Sequence, residues 1–264
     1  MGLSLAFLGT FHVQHNNSTV TCFRVQSARA LLAYLAIESD RPHERAFLAN
    51  LLWPDTPLEQ ALTLLRQTIH RLRSVLSGAN ENEYFEVTRY TIRLRPDLID
   101  RIDLRRFETL VERTRYRLHE TATLDTESIR WLQEAVNLYR GEVLAGFSGM
   151  GSPPFEEWLL LLRERMHNRH IQALDLLSEY YQLHANLYCA GEYLRHWLVL
   201  EPWRELVHRR LMQVLAEHGR RDEALRQYAT CCEILRRELG LEPSLETIEL
   251  AESVRNDTLL ARTF

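Results

Sequence analysis

The segment 58–76, LEQALTLLRQTIHRLRSVL, places cationic and hydrogen-bonding side chains opposite an apolar stripe. The stripe is formed by Leu62, Leu65, Ile69, Leu72 and Leu76, whose spacing of three and four residues predicts one buried side of a helix. The other side and its flanks carry Thr63, Arg66, Gln67, His70, Arg71, Arg73 and Ser74. In the major groove of DNA, arginine recognises guanine edges and glutamine recognises adenine. This ridge therefore suits a DNA contact, and the alternative is an ordinary solvated helix surface.

The elements around this helix are predicted from periodicity and turn residues. Alternating apolar residues predict two short strands in 3–14, separated by a turn at Gly9-Thr10, and a third strand at 19–25. Two helices follow, at 28–38 with Ser27 as the N-cap and at 44–52. After residues 77–80, alternation over 84–94 predicts a β-hairpin. Strands, three helices and a hairpin follow the order of a winged helix-turn-helix, in which the third helix enters the major groove.

The predicted hairpin adds two arginines to the candidate DNA-binding residues, Arg89 at its tip and Arg93 on its second strand. Residues 1–100 carry ten arginines and ten acidic residues, so this part of the chain has no net charge. The small cationic excess within 58–95 falls on the helix ridge and the hairpin. These arginines could contact phosphates or bases, and a solvated strand face is the alternative for Arg93.

From residue 103 onwards the sequence predicts helices and no strands. An internal similarity recurs at an offset of 34 residues, which is the period of a tetratricopeptide repeat. The pairs related by this offset are Leu177 and Leu211, His184 and His218, Ala185 and Gly219, Ala190 and Ala224, and Leu200 and Ile234. Stacked helical hairpins of this kind expose a surface that usually contacts proteins.

Composition restricts the chemistry open to the chain. Its 264 residues contain no lysine, so a Walker A loop and a Schiff-base lysine are excluded, and arginine is its strong cation. A net charge of −4 means that a nucleic-acid site must be local. No stretch is apolar enough to span a membrane, and the four cysteines form no CxxC pair. These features predict a reduced, cytoplasmic protein without a membrane segment.

No catalytic arrangement is predicted. The segment GFSGMG at 146–151 differs from the hydrolase motif GxSxG because Met150 stands where the second glycine is required. His167 and His170 are three residues apart on one helix, but no third ligand is spaced to complete a metal site. We therefore expect no catalytic residue, no metal and no cofactor.

Several motifs together resemble one family across nearly the whole chain. They are SARALLAYLAI at 27–37, LLWPD at 51–55, LRQTIHRLRSVL at 65–76, IDLRRFETLV at 102–111, AVNLYRGEVLAGF at 135–147, GRRDEALRQY at 219–228 and LRRELGLEPS at 235–244. With these motifs the chain resembles the Streptomyces antibiotic regulatory proteins (SARPs), which combine an OmpR-type winged helix with a bacterial transcriptional activator domain. Family members often carry asparagine near the positions where this chain has Thr63 and Leu64, and Leu64 could instead contact a thymine methyl group.

The resemblance implies an α+β winged helix-turn-helix domain over 1–100, followed by an all-α tetratricopeptide-like activator domain over 101–264. It implies a sequence-specific DNA-binding activator that binds promoter-proximal repeats of double-stranded DNA through the helix 58–76 and a wing at 84–95. RNA polymerase is the implied protein partner, and a homodimer on DNA is a further implication. A protein-interaction adaptor whose DNA-binding domain has degenerated is the alternative.

Overall fold

The structure, a computed structural model, describes residues 3–15, 18–19, 25–76, 84–147 and 151–257. The chain forms two compact units. The N-terminal unit comprises Met1–Tyr116 and Glu134–Arg169, and the C-terminal unit comprises Arg117–Gln133 and His170–Phe264. The strands of the described chain are β1 Leu3–Ala6, β2 Gly9–Thr10, β3 His12–His15, β4 Ser18–Thr19, β5 His43–Glu44, β6 Phe85–Val87, β7 Thr91–Leu94 and β8 Val143–Ala145.

Helices make up most of the described chain. The α-helices are α1 Gln26–Ile37, α2 Arg45–Leu52, α3 Leu58–Leu76, α4 Asp103–Thr121, α5 Thr126–Leu138, α6 Pro153–Leu183, α7 Leu187–Leu200, α8 Glu205–Glu217, α9 Arg221–Ile234 and α10 Leu245–Arg255. A 3-10 helix, Pro96–Arg101, precedes α4, and a π-helical turn, Leu235–Leu239, extends α9.

Two small sheets involve the first strands of the N-terminal unit. Strands β1, β3 and β4 form one antiparallel sheet, whereas β2 pairs in parallel with β8. The expectation of no strand after residue 103 is therefore wrong at Val143–Ala145. A three-residue strand is too short for alternation to show in the sequence. Most of the predicted strand 19–25 lies outside the described residues.

Helices α1 and α2 hold α3 by its apolar side. Leu65, Ile69 and Leu72 of α3 are buried, and α3 begins and ends at the predicted residues. Ser27 is not the N-cap of α1: Val25 occupies that position without a side-chain cap, and Ser27 lies inside the helix. Its buried hydroxyl instead lies 3.5 Å from the hydroxyl of Thr68, which joins α1 to α3.

The hairpin β6–β7 is attached to the start of α2. Strand β7 pairs with β6 on one side and with β5 on the other, so that His43 lies opposite Ile92 and Glu44 opposite Thr91. Because β5 runs directly into α2, this three-stranded sheet places the hairpin turn beside the first turn of that helix.

One buried carboxylate fastens the N-terminal strands to α4. Asp103 Oδ1 accepts hydrogen bonds from the backbone N–H groups of Phe7 and Leu104, both 2.7 Å away. Its Oδ2 accepts from the backbone N–H of Leu8 at 3.2 Å and from Arg140 at 2.8 Å. Burial raises the pKa of Asp103, and the hydrogen bonds only partly offset this effect.

The C-terminal unit shows the 34-residue repeat in three dimensions. Ala190 and Ala224 are fully buried at the same position of successive helical hairpins, as are Leu177 and Leu211. Ala185 and Gly219 both have left-handed φ values, +54° and +74°, where one helix ends. The backbone hydrogen bonds that close these two helix ends are also equivalent.

The motif LRRELGLEPS forms the passage from α9 to α10. Gly240 adopts a φ of +67° and ends the π-helical turn, Pro243 is buried, and Ser244 is the N-cap residue of α10. Glu205 Oε1 accepts from the backbone N–H and the hydroxyl of Ser244 at 2.7 and 2.6 Å. Burial alone would raise the pKa of Glu205, but the bonds donated by Ser244 and Thr247 outweigh it and lower this pKa. The motif therefore ends one helix and starts the next.

The equivalent left-handed positions give a matched pair of substitutions. Alanine in the left-handed region is strained by about 1–2 kcal/mol, whereas glycine is not. We expect Ala185→Gly to raise the free energy of unfolding by up to about 1 kcal/mol and Gly219→Ala to lower it by about 1–2 kcal/mol. Urea unfolding followed by circular dichroism measures both. A loss of stability in Ala185→Gly would contradict the expectation.

The described ranges contain neither a membrane-spanning candidate nor a metal cluster. No helix within them combines the length and apolarity that crossing a bilayer requires. No three His, Cys, Asp or Glu side chains within them converge as ligands. His170 is buried against the ring of His196, with 5.3 Å between ring centroids.

Candidate nucleic-acid interface

The polar side of α3 is exposed to solvent. Arg66, Gln67, His70 and Arg71 are all exposed, and Leu65, Ile69 and Leu72 anchor the opposite side in the core. Within the described part of the chain, none of the four exposed side chains makes a hydrogen bond or an ion pair. Their donors and acceptors are therefore available to a ligand along one continuous surface, here named the α3 ridge.

Three other predicted residues are more constrained. Thr63 is exposed, but its hydroxyl donates to the carbonyl of Glu59 at 3.0 Å within the same helix. Arg73 is half-buried at the flank of the ridge. Arg93 donates to Glu86 across the hairpin at 2.7 Å, so a phosphate would have to compete with this carboxylate. Arg93 is thus already paired within the protein.

The turn of the hairpin presents an arginine and a tyrosine. The Thr88 hydroxyl oxygen accepts from the backbone N–H groups of Tyr90 and Thr91 at 3.1 and 2.9 Å, which fixes the turn. Arg89 lies 5.4 Å from the centre of the Tyr90 ring, and 69% of Tyr90 is exposed. The predicted tip is therefore a defined turn with its cation facing solvent.

The structure adds one residue that the sequence analysis missed, Arg45. It is the first residue of α2, its backbone N–H donates to the carbonyl of Tyr90 at 2.9 Å, and its guanidinium lies 3.4 Å from the carbonyl of Thr88. A cation in the first turn opposes the helix dipole unless an anion lies nearby. An arginine in the first turn of a predicted helix was thus the sequence signal for an anion site. The sequence does not show that the hairpin turn lies beside this position, because that depends on the pairing of β5 with β7.

Arg45, Arg66 and Arg89 line one open cleft of about 660 Å³ between α2, α3 and the hairpin turn. Burial, followed by the positive charges of Arg66 and Arg73, lowers the pKa of Arg45. Glu44 is the acidic residue in the lining. Several guanidinium groups at the start of a helix form a strongly electropositive site, and such a site favours an anion such as a DNA phosphate.

The class of protein follows from comparison of the chain with known families. Residues 102–255 match the family model described as "Bacterial transcriptional activator domain", which covers more than half of the chain, and the chain belongs to this family. The resemblance to the SARPs stated from the motifs is thereby confirmed, and the tetratricopeptide-like repeats are those of this domain.

Individual relatives are regulatory proteins. The chain is 31% identical over 243 residues to the regulatory protein AfsR of Streptomyces griseus, covering 89% of this chain and 23% of that protein. It is 28% identical to the regulatory protein DnrI of Streptomyces peucetius, covering 96% of this chain and 92% of DnrI. The chain thus spans about a quarter of AfsR and nearly all of DnrI.

A solved structure has a similar fold. The structure titled "Mycobacterium tuberculosis EmbR in complex with low affinity phosphopeptide" matches with a TM-score of 0.66 and 22% identity, covering 97% of this chain and 65% of that one. The arrangement of strands and helices is therefore one already observed by experiment.

Proposed function

We propose that this chain is a transcriptional regulator that binds double-stranded DNA through a winged helix-turn-helix formed by α1–α3 and the hairpin β6–β7. The observation that carries the proposal is the exposed and unpaired α3 ridge, which continues into the arginine-lined cleft. A helix of 19 residues anchored by one side can lie in a major groove while its other side remains in the core.

The two parts of the surface suit different contacts. Gln67, His70 and Arg71 are on the exposed side of α3, where side chains can reach base edges. Arg45 and Arg66 lie in the cleft, where a phosphate can accept from both guanidiniums. Arg89 at the hairpin turn suits the neighbouring backbone. Thr63, Arg73 and Arg93 remain candidate contacts that first require a change of partner or exposure.

Activation is the direction of regulation that we infer, with the repeat domain contacting RNA polymerase. Support comes from the activator-domain family match and from the regulatory relatives. Binding to promoter-proximal repeats would place two copies of the chain side by side, so a homodimer on DNA belongs to the proposal. Residues 1–100 and 101–264 are the proposed DNA-binding and activator domains.

Selection of bound fragments from random DNA, followed by a gel shift at several salt concentrations, tests the proposal. We expect wild-type protein to enrich a defined sequence. We expect Arg45→Ala to weaken binding to all sequences alike and to make the logarithm of affinity fall less steeply with salt, by about one counterion. Arg226→Ala, an exposed arginine of α9, is the matched control. Failure to enrich any sequence would overturn the proposal.

An adaptor without DNA binding is the second candidate function. Apolar side chains near the turn from α7 to α8 favour it, because Val199, Trp203 and Leu206 are 78%, 44% and 54% exposed. Such residues are typical of protein-contact surfaces. The same gel shift separates the two functions, since an adaptor would not shift any selected fragment.

A further inference from the structure

A polar groove of about 580 Å³ lies in the N-terminal unit, away from the residues of the proposed DNA contact. Its floor is the sheet β1–β3–β4, where Ser4 pairs with Gln14, and Gln14 with Thr19. The wall is formed by the end of the 3-10 helix, the start of α4 and the end of α5. A volume of this size is within the range of small-molecule sites.

The carboxylates beside this groove already have partners. Asp103 accepts three backbone N–H groups in addition to Arg140, so both of its oxygens are engaged. Glu134 accepts from Arg106. A metal cation would need oxygen ligands that these carboxylates cannot supply without breaking existing bonds. The groove therefore offers little to a cation.

Several hydrogen-bond donors of the groove, in contrast, have no partner among the described residues. Arg101 is exposed, and its guanidinium has no hydrogen-bond or ion-pair partner among the described residues. The side chains of His12, Gln14 and Asn137 also lack a hydrogen bond within these ranges. Arg106 and Arg140 each use one carboxylate and retain further N–H groups, because a guanidinium carries five. The groove therefore offers free hydrogen-bond donors and positive charge, which suit a negatively charged ligand with several acceptor atoms.

We propose that this groove binds a small organic molecule carrying a phosphate group. Phosphate oxygens can accept from several guanidinium N–H groups at once, and arginine binds phosphate in a bidentate geometry. The row of Ser4, Gln14 and Thr19 on the floor supplies hydrogen bonds for a polar remainder of the ligand. Binding at this groove does not require the proposed DNA contact, because the two surfaces share no lining residue.

Isothermal titration calorimetry of the full chain with inorganic pyrophosphate tests the proposal, with citrate as a carboxylate probe of similar charge. We expect saturable pyrophosphate binding, weaker citrate binding, and a loss of pyrophosphate affinity at the groove of about tenfold or more in Arg101→Gln. Thermal melts without ligand show whether each variant remains folded.

Two control variants locate the site. Arg226→Gln and Arg237→Gln each remove an exposed arginine of the C-terminal unit, away from the groove and from the cleft at α2 and α3. Both should bind pyrophosphate as the wild type does. An equal loss in either control, unchanged binding in Arg101→Gln, tighter binding of citrate, or no saturable binding of pyrophosphate would each overturn the proposal.

Discussion

Replacement of Arg71 by alanine is expected to weaken binding to the selected DNA sequence by about 1–3 kcal/mol. Arg71 is exposed on the α3 ridge, and within the described ranges no acidic side chain neutralises it. If its guanidinium donates to a guanine edge in the proposed complex, truncation removes two hydrogen bonds that only that base can accept. Quantitative gel shifts with the selected sequence and with single-base variants measure the change.

The pattern across sequences distinguishes a base contact from a phosphate contact. Arg71→Ala should lose affinity for the selected sequence and tolerate substitution of one guanine, whereas affinity for unrelated DNA changes little. Arg226→Ala should behave as wild type. A uniform loss over all sequences in Arg71→Ala would instead place this residue against the phosphate backbone.

Replacement of Asp103 by alanine is expected to lower the free energy of unfolding by about 3–5 kcal/mol. The carboxylate is largely buried and holds the N–H groups of Phe7, Leu8 and Leu104 together with the guanidinium of Arg140. Truncation would leave these donors without an acceptor and would release β1 and β2 from α4. Urea unfolding with tryptophan fluorescence and circular dichroism measures the loss.

Asp97→Ala is the control, because Asp97 is an exposed carboxylate paired with Arg95 and should cost less than about 1 kcal/mol. The pKa of Asp103 is raised above 3.8, so its stabilising contribution is complete below that pH. The contribution decreases as pH rises through the raised folded-state pKa. The difference between wild type and Asp103→Ala should therefore be larger in acid than at neutral pH, and the opposite trend would contradict the assignment.

The parts of the fold that the sequence predicted are those with long periodic patterns. Helix α3 was predicted with its ends and its exposed side because its apolar residues repeat over five turns and Pro57 precedes it. The offset of 34 residues likewise anticipated the equivalent positions of Ala185 and Gly219. In these cases local pattern and tertiary packing agree, so the sequence alone was sufficient.

The features that escaped prediction depend on distant partners. Strand β8 exists because Val143 pairs with Gly9, and nothing local in the segment indicates this. Arg45 belongs to the cleft only because β5 pairs with β7, which places the hairpin turn next to α2. Ser27 has the residue type of a helix cap, but burial against Thr68 decides its position. In these three cases tertiary contacts, and not the residue type, determine the local structure.

The pairing of β2 with β8 has a consequence for dividing this chain into fragments. Gly9 and Val143 belong to one sheet, and residues 134–169 fold within the N-terminal unit although the family model begins at residue 102. A chimera joined at residue 100 would separate residues 1–100 from strand β8, which pairs with β2. It would also separate them from Asp103, which accepts hydrogen bonds from the backbone N–H groups of Phe7 and Leu8. Transfer of the N-terminal unit between related chains should therefore succeed only when the transferred piece extends beyond α4 and includes the first half of α6.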